Sequence, residues 1–495
     1  MGLDLFDRLR RHAADRPGGD AVRVIGPEAE RHPPVTWRGL HARTFAVAQR
    51  IDTRLAPDAV VILLSANRPA VVPAFLGTLA AGRTVFPVDP HLTRAELLPL
   101  AERVGVAAVI TDPGRFGDFA GLDVVCLDLD VVTAEPAMRA TLDTADSGDR
   151  GGLRLQSSGT TGGPKVVVRS GRSLDAVARN VAEAVGLMGD DRVAAAVPLS
   201  HSYGIENGLL APLWAGAAAL HHVTPAGATQ GRGFDPAAVL DSGATFLPGV
   251  PAMFEMIDRL GLGRGGLRAA YSAGGPMPAA LARRLHERTG LRLGQLYGST
   301  EVGSVTFTPH LPGAPPEGVG RAMRGVSVRI LDPDRPDPDA PLPPGEVGHV
   351  AVRAPSMFDR YLDADATAEA VVGGYFLTGD LGRMSAAGDL EVTGRLKLLI
   401  DVGGVKVNPI EVEAVLGGHP QVAECVVVPD PVTPTVNRVK AIVTAHGDGV
   451  DEAELRSFLR QRLAAHKVPR RFELRATLPK SATGKVLRRR LRVPA

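Results

Sequence analysis

The run Val60-Val61-Ile62-Leu63-Leu64 has no polar residue and no alternation of character. A strand reads this way when both of its faces are covered, as in a parallel sheet between helical layers. The neighbouring segments have the matching rhythm. A helical stretch over 70–81 leads to the strand-like Val85-Phe86-Pro87-Val88-Asp89, and Thr93 with Glu96 forms a capping box for a helix over 94–103. The strand Ala107-Ala108-Val109-Ile110 comes next. The alternation resumes with a helix over 173–186, a strand over 193–197, a helix over 205–215, a strand over 217–220 and a helix over 235–241. Phe246-Leu247-Pro248-Gly249-Val250-Pro251 then enters a helix over 252–259, and amphipathic helices over 3–15 and from Trp37 open the chain. Alternation of this kind specifies parallel sheets with crossover helices.

The texture changes after Gly394. Asn408-Pro409 is an N-cap with proline at the first helical position, and Gly417-Gly418 closes that helix. Strands over 424–428 and 439–444, a helix capped by Asp451 with Glu454, and a strand over 471–475 complete a small α+β unit. The expected fold class is therefore α/β: a large N-terminal domain of layered sheets with crossover helices, residues 1–396, and a small C-terminal α+β domain, residues 397–495. At 495 residues and 44% apolar content the chain is too long for one core. The acidic, proline-rich segment 332–339 can hold neither a helix nor a central strand and reads as a surface turn.

Charge and cysteine content narrow the function classes. A formal net charge of +2 gives no general case for a polyanionic partner, but residues 467–492 hold ten Lys or Arg against the single acid Glu473. That stretch reads as a solvated basic tail, as a nucleic-acid patch, or as a surface for ligands with several phosphates. Cys126 and Cys425 are the only cysteines, both in apolar strand-like runs, and so are expected to be buried thiols in a reducing compartment. The N-terminus lacks the apolar core of a signal peptide, and no uncharged apolar run reaches membrane-spanning length. A cytoplasmic protein without a membrane span is expected.

Residues 157–165, Ser157-Ser158-Gly159-Thr160-Thr161-Gly162-Gly163-Pro164-Lys165, put three glycines, four hydroxyls and a lysine directly after a β-type run. Glycines let backbone N–H groups crowd a ligand, hydroxyls donate to its oxygens, and the lysine adds positive charge. The pattern suits a phosphate cradle; a flexible Gly/Ser-rich surface loop is the plainer alternative. It is not the G-x-x-x-x-G-K-[ST] loop, since no Ser or Thr follows Lys165.

This loop resembles the S-G-T-T-G-x-P-K loop of the adenylate-forming superfamily, which includes acyl- and aryl-CoA synthetases, peptide-synthetase adenylation domains and luciferases. Four further stretches resemble the family's motifs, in its order. They are Leu296-Tyr297-Gly298-Ser299-Thr300-Glu301, Tyr375-Phe376-Leu377-Thr378-Gly379-Asp380, Gly394-Arg395-Leu396-Lys397 and Pro479-Lys480-Ser481-Ala482-Thr483-Gly484-Lys485. The resemblance spans most of the chain and is closest to acyl- and aryl-CoA ligases.

The resemblance implies an enzyme that activates a small carboxylic acid with ATP and Mg²⁺ through an acyl-AMP, then passes the acyl group to CoA. Passing it to the phosphopantetheine of a carrier protein, or stopping at one half-reaction, remains the alternative. No nucleic-acid partner is implied. Attack of a carboxylate on a phosphate brings two anions together, so the site must neutralise charge. Glu301 is implied as the Mg²⁺ ligand, with Thr300 on the α-phosphate and Lys485 bridging carboxylate and phosphate. Ser157, Ser158, Gly159, Thr160, Thr161, Gly162 and Lys165 would hold the phosphates. Asp380 and Arg395 would hold the ribose. The adenine would lie between Gly274-Gly275-Pro276 and Gln295-Leu296-Tyr297-Gly298, with Tyr297 stacked on the ring.

The same family places a histidine or aromatic gate at His201, a rotating hinge at Lys397 that makes the C-terminal domain a mobile lid, and a pantetheine passage at Gly403-Gly404. Asp401 departs from the pattern, because several CoA ligases carry a lysine there that serves thioester formation. Tyr203, Val250, Gly274, Gly275 and Val302 would line the acid's pocket. Adenylation domains for α-amino acids place an aspartate after the gate; between Ser200 and Gly216 the only acid is Glu206. An acid without an α-amine is expected. His221-His222 reads as a surface pair at a strand end.

Overall fold

A computed structural model describes residues 3–134, 151–157, 165–223, 234–309, 318–402, 405–433, 436–447, 449–480 and 486–491. The chain divides into two compact units, Met1–Ser327 with Val352–Phe376, and Val328–Ala351 with Leu377–Ala495. Lys397, expected at the junction, lies inside the second unit, on the short 3₁₀ turn Leu396–Leu398.

The first unit holds two sheets. One has seven strands in the order Arg360–Tyr361, Lys165–Ser170, Gly152–Ser157, Thr84–Pro87, Val60–Leu64, Val106–Thr111 and Val125–Asp128. The last five are parallel, and the first two pair antiparallel. Val60–Leu64 sits in the interior of this sheet with all five residues buried. Val61 and Leu63 pack into a core with Phe75, Leu76 and Val47, while Val60, Ile62 and Leu64 face Leu97, Leu100 and Phe119. That division is why the run carries no polar residue: successive side chains point to opposite faces, and both faces are covered. Truncating Ile62 to Ala would open a cavity costing about 2–5 kcal/mol. Glu96 Oε2 accepts from the Thr93 backbone N–H at 2.9 Å, as the capping box requires.

The second sheet of this unit runs Gly320–Ala322, Gly303–Thr308, Leu293–Ser299, Ala269–Ser272, Phe246–Gly249, Arg192–Ala195, Ala218–His222, Asp20–Ile25, Val35–Thr36. It is parallel from Leu293–Ser299 to Asp20–Ile25 and antiparallel at both margins. Three details differ from the sequence reading. The helix expected over 205–215 is instead Ser202–Ile205, a π-helical turn Glu206–Leu210, and Ala211–Ala215. Pro212 has no N–H for an i→i−4 bond, which disfavours a regular helix there. His221 and His222 are not at the surface but lie buried in the strand Ala218–His222. The Nδ1 of His221 is 3.2 Å from the Asn67 carbonyl, and the Nε2 of His222 accepts from the Asp235 N–H. Cys126 and Cys425 are partly rather than fully buried.

The strands Ser327–Leu331, Gly348–Arg353, Tyr375–Met384 and Asp389–Arg395, most of whose residues belong to the second unit, lie side by side in that order. A two-stranded ribbon, Ile400–Val402 with Val405–Val407, precedes the helix Pro409–Leu416, whose cap Asn408 accepts from the Ile410 N–H at 3.1 Å. Strands Val422–Thr433, Val436–Ala445 and Arg471–Leu474 form a separate sheet accompanied by the helix Glu452–Arg460. The α/β class, with a large N-terminal domain of mixed sheets and a small C-terminal α+β domain, is as the sequence implies. Among the described residues no helix is long and apolar enough to cross a membrane.

Candidate active site

In the first unit the strand Gly152–Ser157 ends where the strand Lys165–Ser170 begins, with Ser157 and Lys165 opposite each other in antiparallel register. Ser158, Gly159, Thr160, Thr161 and Gly162 lie outside the described residues. Tyr361 pairs with Val167 on the outer side of the strand Lys165–Ser170. Two residues along, Lys165 places its Nζ 4.5 Å from the centre of the Tyr361 ring.

The Tyr361 hydroxyl donates to Glu301 Oε1 at 2.9 Å. Both residues are buried, Tyr361 at 4% and Glu301 at 9% exposure, so the hydroxyl is a donor that water cannot easily replace. Burial and the neighbouring carboxylate push the Tyr361 phenol well above its ordinary value, which keeps it protonated and donating. Among the described residues this is the one side-chain hydrogen bond to the Glu301 carboxylate, and it is made to Oε1. The Phe358 N–H anchors the Glu301 carbonyl at 2.6 Å. Thus Lys165, Tyr361 and Glu301, well separated in sequence, form one cluster. Sequence reasoning missed Tyr361. The chain has only five tyrosines, at 203, 271, 297, 361 and 375, and three of them, Tyr203, Tyr297 and Tyr375, fall in segments already singled out. That scarcity was the available signal.

Thr300 follows Ser299 in the turn that presents Glu301. Gly298 is required just before it, because a Cβ there would come within 2.1 Å of the Gly303 carbonyl oxygen. Gln295, Leu296 and Tyr297 lie on the strand Leu293–Ser299, beside the strand Ala269–Ser272 from which Gly274, Gly275 and Pro276 emerge. The Tyr271 hydroxyl donates to the buried Asn207 Oδ1 at 3.1 Å. Tyr203 donates to the Tyr271 carbonyl at 3.3 Å. Val250 lies next to Gly274, and a Cβ on Gly274 would be 3.8 Å from Val250 Cγ1. Val302 is fully buried, with its carbonyl accepting from Ser356 Oγ at 2.7 Å. His201 precedes the helix Ser202–Ile205; burial pushes its imidazole pKa down, and Asp89 partly offsets this. The loop before it is clamped by Asn67, whose amide donates to the Val197 carbonyl at 3.1 Å and accepts from the Leu199 N–H at 2.9 Å.

In the second unit Asp380 and Arg395 face each other in antiparallel register, and Arg395 Nε donates to Asp380 Oδ1 at 2.5 Å. The turn before Asp380 is fixed by His349, whose Nε2 accepts from the Gly379 N–H at 2.8 Å. That bond requires an unprotonated Nε2. Burial of His349 lowers its pKa and favours the neutral ring, while Asp380 acts in the opposite sense. Gly403, Gly404 and Lys485 lie outside the described residues, and so does the side chain of Asp401.

Five of the ten basic residues near the C-terminus are paired with acids of their own unit. Lys467 pairs with Glu411, Arg471 with Asp430, Arg475 with Glu473, Lys480 with Glu424 and Arg488 with Glu413. Four of these acids lie outside the stretch, so the charge excess legible in sequence is partly offset in space.

Known proteins resemble this chain along most of its length. The chain is 31% identical over 491 residues to a feruloyl-CoA synthase of Amycolatopsis, covering 93% of this chain and 96% of that protein. It is 30% identical over 513 residues to the fatty acid–[acyl-carrier-protein] ligase ScoC of Streptomyces coeruleorubidus, covering 97% and 94%. ATP-bound MatB of Rhodopseudomonas palustris superposes with a TM-score of 0.88 at 26% identity, over 99% and 98% of the two chains. O-succinylbenzoate coenzyme A synthetase of Bacillus subtilis, solved with ATP and a magnesium ion, gives 0.82 at 25% identity over 98% of each. The AMP-binding enzyme family matches residues 9–362 and the AMP-binding enzyme C-terminal domain matches 411–485, so the chain belongs to the adenylate-forming superfamily and is an enzyme of its AMP-forming CoA-ligase family.

Proposed function

We propose that this enzyme joins a carboxylic acid lacking an α-amine to CoA in two steps, through an acyl-AMP. The observation that carries the reading is the Lys165–Tyr361–Glu301 cluster: a carboxylate with one oxygen held by a buried phenol, beside the stem of a glycine- and hydroxyl-rich loop. Among the described residues no three metal-ligating side chains converge. A Mg²⁺ on Glu301 would therefore take further oxygens from the nucleotide's phosphates, as is usual for this ion. When bound it would offset phosphate charge. Lys165 and the loop 158–162 hold the phosphates, Thr300 the α-phosphate, and Asp380 with Arg395 the ribose hydroxyls. The adenine rests on Gly274, Gly275 and Pro276 against Gln295–Gly298. Lys485 bridges carboxylate and phosphate, His201 gates the acid, and Lys397 and Gly403-Gly404 serve thioester formation. The exclusion of an α-amine rests on Glu206, the only acid after the gate, which is 2% exposed and locked to Arg169.

Transfer to a carrier protein is the second reading. It is supported by the similarity to ScoC and by the internal pairing of the basic stretch, which leaves less free charge for the phosphates of CoA. The test is pyrophosphate release from Mg·ATP with aryl, fatty and short dicarboxylic acids, followed by CoA, pantetheine and a phosphopantetheinylated carrier as acceptors. CoA should win through a lower KM, because its extra phosphates bind away from the chemistry. Acylation of the carrier alone would overturn the CoA reading. Failure to release pyrophosphate with any acid would overturn both.

A further inference from the structure

Behind the proposed site lies an ion pair to which the mechanism gives no task. Arg169 and Glu206 side chains are 0% and 2% exposed, with Nη1 to Oε1 at 2.5 Å. Glu206 Oε1 also accepts from Ser202 Oγ at 2.6 Å, and Oε2 accepts from the Ser304 N–H at 2.9 Å and Ser304 Oγ at 2.8 Å. Arg169 Nη1 reaches Ser202 Oγ at 3.2 Å, and Nε reaches Ser173 Oγ at 3.4 Å. Nη2 is buried with no hydrogen-bond partner among the described residues.

Each member belongs to a different functional segment. Arg169 is on the strand Lys165–Ser170, whose first residue is Lys165. Ser202 lies between His201 and Tyr203, and Glu206, three residues after Tyr203, opens the π-helical turn. Ser304 is three residues after Glu301 on the strand Gly303–Thr308. Gly303 has φ +70°, and a Cβ there would stand 3.1 Å from both Arg169 Nη2 and Glu206 Oε1. The turn carrying Thr300 and Glu301 is thus folded directly onto the pair.

A buried ion pair is a poor device for stability, since desolvation consumes most of the attraction, and apolar residues of similar volume often do as well or better. An unpartnered Nη2 makes this one poorer still. Its two carboxylate oxygens and directional donors do fix geometry, which apolar contacts do not. We propose that Arg169 and Glu206 are positioning residues, which set the phosphate-loop strand, the gate helix and the Glu301 turn in one register. Their role rests on the adenylating activity proposed for the enzyme.

The single variant Glu206→Gln leaves a buried guanidinium without its counter-charge and is expected to unfold at lower temperature, so it cannot decide the matter. The double variant Arg169→Met/Glu206→Leu removes both charges at similar volume. Its unfolding midpoint should lie above that of Glu206→Gln, though below the parent's, because Ser202 Oγ, Ser304 Oγ and the Ser304 N–H lose their acceptor. Its half-saturating Mg²⁺ for ATP binding, followed by calorimetric titration, should rise about 10-fold or more, since displaced ligand geometry is felt in metal affinity. Its kcat for pyrophosphate formation should fall about 10²-fold, the usual consequence of a misplacement near 1 Å. A folded double variant with parental Mg²⁺ dependence and kcat would overturn the proposal. So would a double variant that unfolds like the single one, because the pair would then be structural. If the parent binds Mg·ATP yet releases no pyrophosphate with any acid, the proposed function fails, while the binding titration still judges the pair.

Discussion

Tyr361→Phe removes one oxygen atom from the site and leaves its packing in place. The ring would keep its edge contact with Phe358, whose centroid is 4.8 Å away, and its place beneath Lys165. What is lost is the 2.9 Å bond to Glu301 Oε1. Hydrogen bonds to charged groups contribute about 1.5–3 kcal/mol, and the buried carboxylate has no easy replacement donor. Glu301 can then rotate, and the oxygen proposed to hold the metal no longer has a fixed direction. Loss of an outer partner of this kind typically costs about 10–100-fold in metal affinity or activity. Half-saturating Mg²⁺ for pyrophosphate formation should therefore rise about 10–100-fold, and saturating Mg²⁺ should restore much of the rate. The unfolding midpoint serves as the control for packing. An unchanged Mg²⁺ curve would refute the argument. Saturation at lower Mg²⁺ would refute it too, since Tyr361 would then compete with the metal rather than orient its ligand.

Three other outcomes are expected. Lys485→Ala should lower adenylation about 10²–10³-fold while a supplied acyl-AMP still yields thioester; equal losses in both half-reactions would remove Lys485 from its assigned role. Asp380→Asn should raise the KM for ATP about 10–100-fold, from the loss of charge-assisted bonds to the ribose, and a variant with parental KM would place the ribose elsewhere. Burial lowers the His221 pKa to about 4 against an ordinary value of about 6.5. The unfolded chain therefore takes up this proton first. Stability from this group is complete above about pH 6.5 and is lost progressively as pH falls towards the folded value, by about 3 kcal/mol in all. Denaturant titrations at pH 7 and pH 4.5 should show that component in the parent and not in His221→Leu.

Much of the chain was legible because its signals are local. The apolar run at Val60, the capping box at Thr93 and the cap at Asn408 each act within one element, and sequence spacing suffices to read them. The motifs were legible for the same reason: a glycine-rich turn between strands announces itself wherever it sits. Asp380 and Arg395 were each singled out, but only the antiparallel register opposes them and sets them 2.5 Å apart. His221 and His222 were misread because a polar pair ending an apolar strand looks the same whether water or a helical layer covers it. The cover is supplied by segments remote in sequence. Tyr361 and Glu301 lie 60 positions apart, Arg169 and Glu206 37, and Glu206 and Ser304 98. Composition showed an excess of basic charge near the C-terminus, but the acids that offset part of it are mostly on the helix Pro409–Leu416 and the strand Val422–Thr433. Residue type and spacing therefore determined which elements form and which chemistry they can carry. The tertiary structure decided which charges meet, because burial and hydrogen-bond geometry depend on chain segments that no local pattern brings together.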